Sequence, residues 1–250
     1  MPFTPTHILA VVPLAAVRHW GLPLSGLAIG SMVPDLPLFL PGASNYQVTH
    51  SAPGLITADL PLGLAGFLAF QFLFKRFLIA LMPTWARRRS AGLARPCVEP
   101  TIQLAFRVGL AVVLGAFTHL AWDSFTHRDR TASRFLPALN AAAFDLGGRP
   151  VPTFKALQYG SSAIGLPVLA ALALGWLRRQ PAGPLDGLPD LPRRARAAAL
   201  LVAAAIPAAA GAVVATRADL TAYRKLAWFV TRAGCAELVA LTAASLAFRA

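Results

Sequence analysis

Apolar residues in this chain run in long blocks, with polar clusters between them. A helix that crosses a bilayer takes about 20 apolar residues at 1.5 Å each. Five blocks reach that length: Leu55 to about Met82, Ile102 to about Phe125, Phe154 to Leu177, Ala197 to Thr216, and Leu226 to Phe248. Two earlier blocks, His7 to Val17 and Leu22 to Met32, are apolar but too short to span comfortably, and Arg18-His19-Trp20-Gly21 separates them. They predict a helical hairpin dipping into the bilayer, or two short tilted helices. Pro34, Pro37 and Pro41 should then end the helix and open a loop, since proline lacks the N–H that a helix interior needs. The expected fold is all-α: a polytopic helical membrane protein with five long transmembrane helices plus an N-terminal short helical hairpin. It reads as a single integral membrane domain over 1–250, with the polar chemistry in 1–130 and a membrane tail in 131–250.

Composition agrees with this pattern. Hydrophobic residues make up 56% of the 250 and charged residues 13%, about half the roughly 25% charged content of a soluble domain. The net charge of +13 would suit nucleic acid, but the basic residues cluster in loops between apolar blocks. That is the pattern of positive-inside bias and attraction to anionic lipid. Membrane lipid is therefore the expected partner, and nucleic acid is not. The opening Met1 to His7 has no basic stretch of the kind a cleaved signal needs, so targeting should rest on the internal segments. Cys97 and Cys235 lie far apart with no CxxC spacing, which points to neither a disulfide framework nor a thiolate metal site.

Orientation follows from Lys and Arg. Arg87, Arg88, Arg89 and Arg95 follow the first long block, with Lys75 and Arg76 just inside it; Arg178, Arg179, Arg193, Arg194 and Arg196 follow the third. Alternation places these loops on one side, expected to be cytoplasmic, with Arg18 of the hairpin tip facing the same way. The other side carries Arg128, Arg130, Arg134, Arg149, Arg217, Arg224 and Lys225, so the bias is moderate.

The chemistry concentrates in Thr118-His119-Leu120-Ala121-Trp122-Asp123-Ser124-Phe125-Thr126-His127. His119 and Asp123, four apart, share a helix face, and His127 stays roughly in line if the helix lasts that far. Imidazole and carboxylate suit a borderline divalent metal such as zinc. His7, Asp35 and His50 are the other residues of that chemistry, and the expected topology brings all six to the outer membrane face. One histidine at a helix end is ordinarily a hydrogen-bonded residue, but ionisable groups gathered at membrane depth are costly and as a set point to function. Asp59, inside the first long block, is expected either to orient a ligating histidine or to bond a neighbouring helix. Glu237 and Arg107 read as a buried structural pair. No G-x-S-x-G, phosphate-binding glycine loop or dinucleotide fingerprint occurs, and Gly147-Gly148 reads as a turn.

Met1-Pro2-Phe3-Thr4-Pro5-Thr6-His7, Gly30-Ser31-Met32-Val33-Pro34-Asp35, His50-Ser51 and His119 to His127 resemble, in that order, the bacterial integral membrane family called domain of unknown function family 4184. The order of His, Pro-Asp, His and His-xxx-Asp also resembles the membrane-bound metal-dependent hydrolases. More distantly it is similar to the zinc-dependent phospholipases C, whose corresponding residues bind a zinc cluster. The resemblance implies a divalent metal, zinc by analogy, held by His7, Asp35, His50, His119, Asp123 and His127. No histidine follows His127, so the later His-xxx-Glu pair of the phospholipases is absent, and their N-terminal Trp ligand has no counterpart. Six ligands support one or two metals.

The functional expectation is a metal-dependent hydrolase of the bacterial cytoplasmic membrane, acting at the outer face on a phosphoester such as a lipid headgroup. Asp123 or Asp35 would bridge metals or serve as general base, and Arg128 and Arg130 would hold the phosphate. The competing class is non-catalytic: a structural metal site, a scaffold or a transporter.

Overall fold

A computed structural model describes residues 3–16, 20–40, 46–94 and 101–249. Arg18 and His19 of the expected hairpin tip, with Pro41, Arg95 and Cys97, lie outside the described residues. The chain opens on a 3₁₀ turn (Thr4–His7) that runs into α1 (Ile8–Ala16), followed by α2 (Leu24–Gly30). A 3₁₀ segment (Val33–Phe39) and the single turn α3 (Tyr46–Thr49) lead to the first long span. That span is α4 (Leu60–Ala69) and α5 (Lys75–Leu81), with π-helical turns at Leu55–Asp59 and Phe70–Phe74. Then come α6 (Thr84–Arg89), α7 (Ile102–Thr126), α8 (Thr131–Phe135), a hairpin of β1 (Ala142–Asp145) and β2 (Pro150–Pro152), α9 (Thr153–Arg179), α10 (Arg193–Thr216) and α11 (Ala222–Ala247).

Five helical stretches among the described residues are long and apolar enough to cross a membrane: Leu55–Leu81, Ile102–Phe135, Thr153–Arg179, Arg193–Thr216 and Arg224–Ala247. The protein is thus an all-α polytopic membrane protein with one small two-stranded sheet. The hairpin was not anticipated beyond its turn. Gly147 and Gly148 have φ of 60° and 78°, the pair of positive angles that a tight two-residue hairpin turn demands and that glycine adopts without a Cβ penalty. The expected loop after α2 is instead the 3₁₀ segment. Its i→i+3 turns accommodate Pro34 and Pro37, which a longer α-helix would not.

Two units make up the chain. The first comprises Met1–Leu36, Asn45–Phe67 and Glu99–Trp176; the second Pro37–Ser44, Leu68–Val98 and Leu177–Ala250. In the first, α2 lies against α7 so closely that only glycine fits. A Cβ on Gly30 would sit 2.2 Å from the Val112 carbonyl oxygen, and one on Gly115 would sit 2.3 Å from that of Leu27. Small residues let membrane helices approach to backbone contact, which dispersion then stabilises. Val11, Leu27 and Ala111 form the core beside this contact. Arg107 is exposed, and Glu237 is half-buried, so the expected buried pair is not found. Arg107 sits near the start of α7 with its guanidinium lying over Gly21, a position from which a long side chain reaches the membrane edge.

In the second unit α10 and α11 pack on each other, and none of the most apolar window of α10 is buried within the protein. Arg87, itself buried, pairs with Asp190, which also accepts from Arg196 Nη2 at 2.8 Å. Cys235 is a free thiol.

Candidate metal centre

The close α2–α7 contact sets the register of the site. His119 stands one turn beyond Gly115, and its Nδ1 lies 2.8 Å from the Ser31 carbonyl oxygen just past the end of α2. A carbonyl only accepts, so Nδ1 carries the proton and Nε2 presents its lone pair away from α2. His50 follows the same logic. Its Nδ1 lies 3.0 Å from the Tyr46 carbonyl, and the Tyr46 ring stacks on the imidazole with centroids 3.8 Å apart. Thr49 anchors this turn by donating to the Pro34 carbonyl at 2.7 Å. Asp35, in the 3₁₀ segment, accepts from Thr4 Oγ1 at 2.7 Å through Oδ2, which leaves Oδ1 for the site.

The freed atoms converge. His50 Nε2 lies 3.5 Å from Asp35 Oδ1 and 3.7 Å from Asp123 Oδ2. His119 Nε2 lies 3.7 Å from Asp35 Oδ1 and 3.5 Å from Asp123 Oδ2. The other oxygen of Asp123 faces a second pair: Oδ1 is 3.6 Å from His7 Nε2 and 3.4 Å from His127 Nδ1. The His7 and His119 rings stack with centroids 3.8 Å apart. All six side chains belong to the first unit. Two triads, His7, His119 and Asp123, and Asp35, His50 and His119, hold ligand atoms within 4.8 Å of one another, and every member is buried.

These atoms could form the shell of an ion. His7 Nδ1 and Nε2, Asp35 Oδ1, His50 Nε2, His119 Nε2 and both Asp123 oxygens are buried without a hydrogen-bond partner among the described residues. Each orphaned polar atom costs about 1–3 kcal/mol, more if charged, so such a cluster makes sense only if something else satisfies it. The separations are too long for hydrogen bonds of ordinary strength. They match the roughly 3.4 Å edge of a tetrahedron with bonds of about 2.1 Å. Backbone carbonyls that fix ring tautomers, and a hydroxyl that fixes a carboxylate, are the usual supports around metal ligands. The donor set therefore fits a divalent metal.

Electrostatics act in the same direction. Burial, and then the neighbouring His119, push the His7 pKa down to about 3 against the pull of Asp123 and Asp35, so the ring is neutral, the form that binds metal. Burial alone would raise Asp35, but His50 and His119 outweigh it and hold the carboxyl below its ordinary value. Burial, followed by Asp35 and Asp123, raises the Tyr46 phenol above its ordinary value and keeps it protonated.

His127 departs from the helical reading. α7 ends at Thr126, and His127 caps it in an extended conformation (φ −127°, ψ 144°), so it reaches Asp123 from beyond the helix rather than along its face. Its Nε2 lies 3.2 Å from Gln158 Nε2, while Gln158 Oε1 lacks a partner. Turning the amide about its axis exchanges its oxygen and nitrogen. In that orientation the imidazole Nε2–H donates to oxygen and Nδ1 turns its lone pair to Asp123 Oδ1 at 3.4 Å; in the other, Gln158 donates to Nε2 and Nδ1–H points to the Asp123 carbonyl at 3.3 Å.

Asp59 sits in the π turn that opens the first span, fully buried, and neither of its oxygens has a hydrogen-bond partner among the described residues. Arg130 Nη1 donates to the His50 carbonyl at 3.2 Å, and Arg128 is exposed. Between them Asp129 takes φ 62°, a left-handed turn that Asp tolerates better than most residues.

Thr4, Tyr46, Gln158 and the Ser31 carbonyl were not read from the sequence as parts of the site. Threonine, tyrosine and glutamine near apolar blocks are too common to signal a role, and a backbone carbonyl leaves no mark in side-chain identity. Thr4, inside the Met1 to His7 motif, and Ser31, inside the Gly30 to Asp35 motif, carried what signal there was. A family model described as a domain of unknown function (DUF4184) matches residues 1–246. No curated protein and no solved structure matches the chain.

Proposed function

The chain belongs to the DUF4184 family, and we propose that it is a membrane-embedded metal-dependent hydrolase acting on a phosphoester, with a lipid headgroup as the natural case. The observation that carries this reading is the convergence of buried, unpartnered imidazole and carboxylate atoms around Asp123. The mixed nitrogen and oxygen donors and their spacing favour zinc.

Asp35, His50 and His119 would hold one ion, with Asp123 Oδ2 at 3.7 and 3.5 Å from the His50 and His119 Nε2 atoms. His7, His119 and Asp123 would supply the donors of a second, with His127 Nδ1 3.4 Å from Asp123 Oδ1, and three donors leave a position open for water or substrate. Asp123 would serve both sets, since its two oxygens face different imidazoles. A bound divalent metal lowers the pKa of its water and stabilises negative charge that develops on a phosphoryl oxygen. Arg128 is exposed beside His127 in sequence and would meet the phosphate. Arg130 spends one guanidinium N–H on the His50 carbonyl and keeps others for a phosphate oxygen. The similarity of the motif order to membrane-bound hydrolases and phospholipases C supports the same reaction class. The basic loops on the opposite side support an outward-facing site in a bacterial cytoplasmic membrane.

Metal analysis of the detergent-purified protein, paired with turnover of p-nitrophenyl phosphate and dioleoyl phosphatidic acid, tests the reading. Wild type should carry tightly bound zinc and hydrolyse at least one substrate. Asp123→Asn should lose at least 100-fold in turnover, and His119→Ala should lose metal as well. Arg128→Ala should keep its metal and raise KM. If metal is bound, the ligand variants lose thermal stability in step with it, and neither substrate is turned over, the site is structural and the hydrolase reading fails.

A further inference from the structure

The first unit contains an apolar groove of about 520 Å³ between the N-terminal segment and α9, within the size range of small-molecule sites. Leu9 and Ala10 form one wall; Leu157, Gly160 and Ile164 form the other. His7 also lines it, and the same imidazole lies 3.6 Å from Asp123. The groove and the candidate metal centre therefore share His7.

Two glycines of α9 shape it. At Gly165 the elements touch, since a Cβ there would sit 3.2 Å from Thr6 Cβ and 3.3 Å from Leu9 Cδ1. At Gly160, less than two turns away, an added Cβ would meet nothing within 4 Å. Polar bonds pin the walls on either side: Trp122 Nε1 donates to Ser161 Oγ at 3.2 Å, and the Phe3 amide donates to Ser162 Oγ at 2.8 Å. The groove is thus held open by geometry rather than left by loose packing.

Its medium identifies the occupant. α9 is a membrane-spanning helix, and Ile164 on the groove's rim is 67% exposed, with Val168 and Leu172 exposed further along the helix. In a bilayer these side chains face hydrocarbon, so the groove opens sideways into lipid tails rather than into water. A water-soluble substrate would gain nothing from walls of Leu, Ala and Ile at membrane depth. We infer that the groove seats one hydrocarbon chain of a membrane lipid and thereby brings the phosphoester of that lipid to His7 and the neighbouring ligands. The inference rests on the hydrolase reading only for the fate of the headgroup; the seating of the chain stands apart from it.

The experiment uses the full-length protein in phosphatidylcholine vesicles doped with a phosphatidic acid that carries a photoactivatable diazirine in one acyl chain. After irradiation, adducts should concentrate on residues 156–165 of α9 and 6–10 of the N-terminal segment. Gly160→Phe, which fills the groove, should cut that labelling at least fivefold while leaving metal content unchanged. Ala10→Trp blocks the opposite wall and serves as the independent variant should Gly160→Phe fail to fold, as judged by thermal unfolding. Labelling spread evenly over the lipid-facing helices, or groove labelling that neither folded variant reduces, overturns the proposal. In turnover, Gly160→Phe should slow dioleoyl phosphatidic acid at least tenfold and p-nitrophenyl phosphate less than twofold. Equal loss on both substrates also overturns it. If labelling behaves as expected but wild type hydrolyses neither substrate, the groove stands and the hydrolase reading falls.

Discussion

At the scale of single residues, the candidate site depends on side chains outside its ligand set. Thr4 is the clearest. Its hydroxyl donates to Asp35 Oδ2 at 2.7 Å and so fixes which carboxylate oxygen faces His50 and His119. Supports of this kind are typically worth 10–100-fold in metal affinity. Thr4→Val should therefore weaken zinc binding by about that factor, measured by competition with a chromogenic chelator, whereas Thr4→Ser should keep wild-type affinity. Equal affinity in Thr4→Val and wild type would mean that Asp35 is held by packing alone. Gln158 stands in the same relation to His127, at a bond that joins α9 to the end of α7.

Between elements, the decisive contact is α2 on α7. Replacing a mid-helix glycine by alanine ordinarily stabilises a helix by about 1 kcal/mol. On α7 that expectation should hold at one glycine and reverse at another. At Gly109 a new Cβ would meet Leu60 Cδ1 at 3.6 Å, ordinary contact; at Gly115 it would meet the Leu27 carbonyl oxygen at 2.3 Å. Backbone cannot yield as a flexible side chain can, and overpacking costs about 1–3 kcal/mol. Gly109→Ala should leave thermal unfolding in detergent unchanged or slightly higher. Gly115→Ala should lower it by several degrees and reduce bound metal, because moving α7 off α2 takes His119 away from the Ser31 carbonyl. A Gly115→Ala protein with full metal content would show that the site does not depend on this contact.

For the molecule as a whole, the open matter is which way it faces. The basic loops after the first and third spans predict that Gly92 is cytoplasmic and Leu146 external. Leu146 is 69% exposed at the tip of the β-hairpin, and a side chain at Gly92 would meet nothing within 4 Å, so both tolerate a probe. With Cys97 and Cys235 replaced by serine, an impermeant maleimide added to intact cells should label Leu146→Cys and spare Gly92→Cys. The reverse pattern would turn the candidate site toward the cytoplasm.

How much of this was legible in the sequence varies by feature, for physical reasons. The five spans were, because hydrocarbon demands continuous apolar length and a helix satisfies its own backbone. His119 and Asp123 were paired by helical period alone, and the return of the short N-terminal segments put Asp35 near the residues around His7. The 3₁₀ segment after α2 and the β-hairpin were not legible, since prolines and paired glycines announce a break without fixing what replaces the helix. His127 was expected in line only if the helix lasted that far, and α7 ends one residue sooner. Only tertiary structure decided the rest: that glycines bring α2 and α7 into backbone contact, that the Ser31 carbonyl sets the tautomer of His119, and that α9 parts from the N-terminal segment at Gly160 beside the site. Sequence alone determined which chemistry was present and which segments are long and apolar enough to span, because composition and period govern both. Which atoms meet was left to packing, because contacts between residues about 30 to 160 positions apart depend on side-chain volumes that no local pattern encodes.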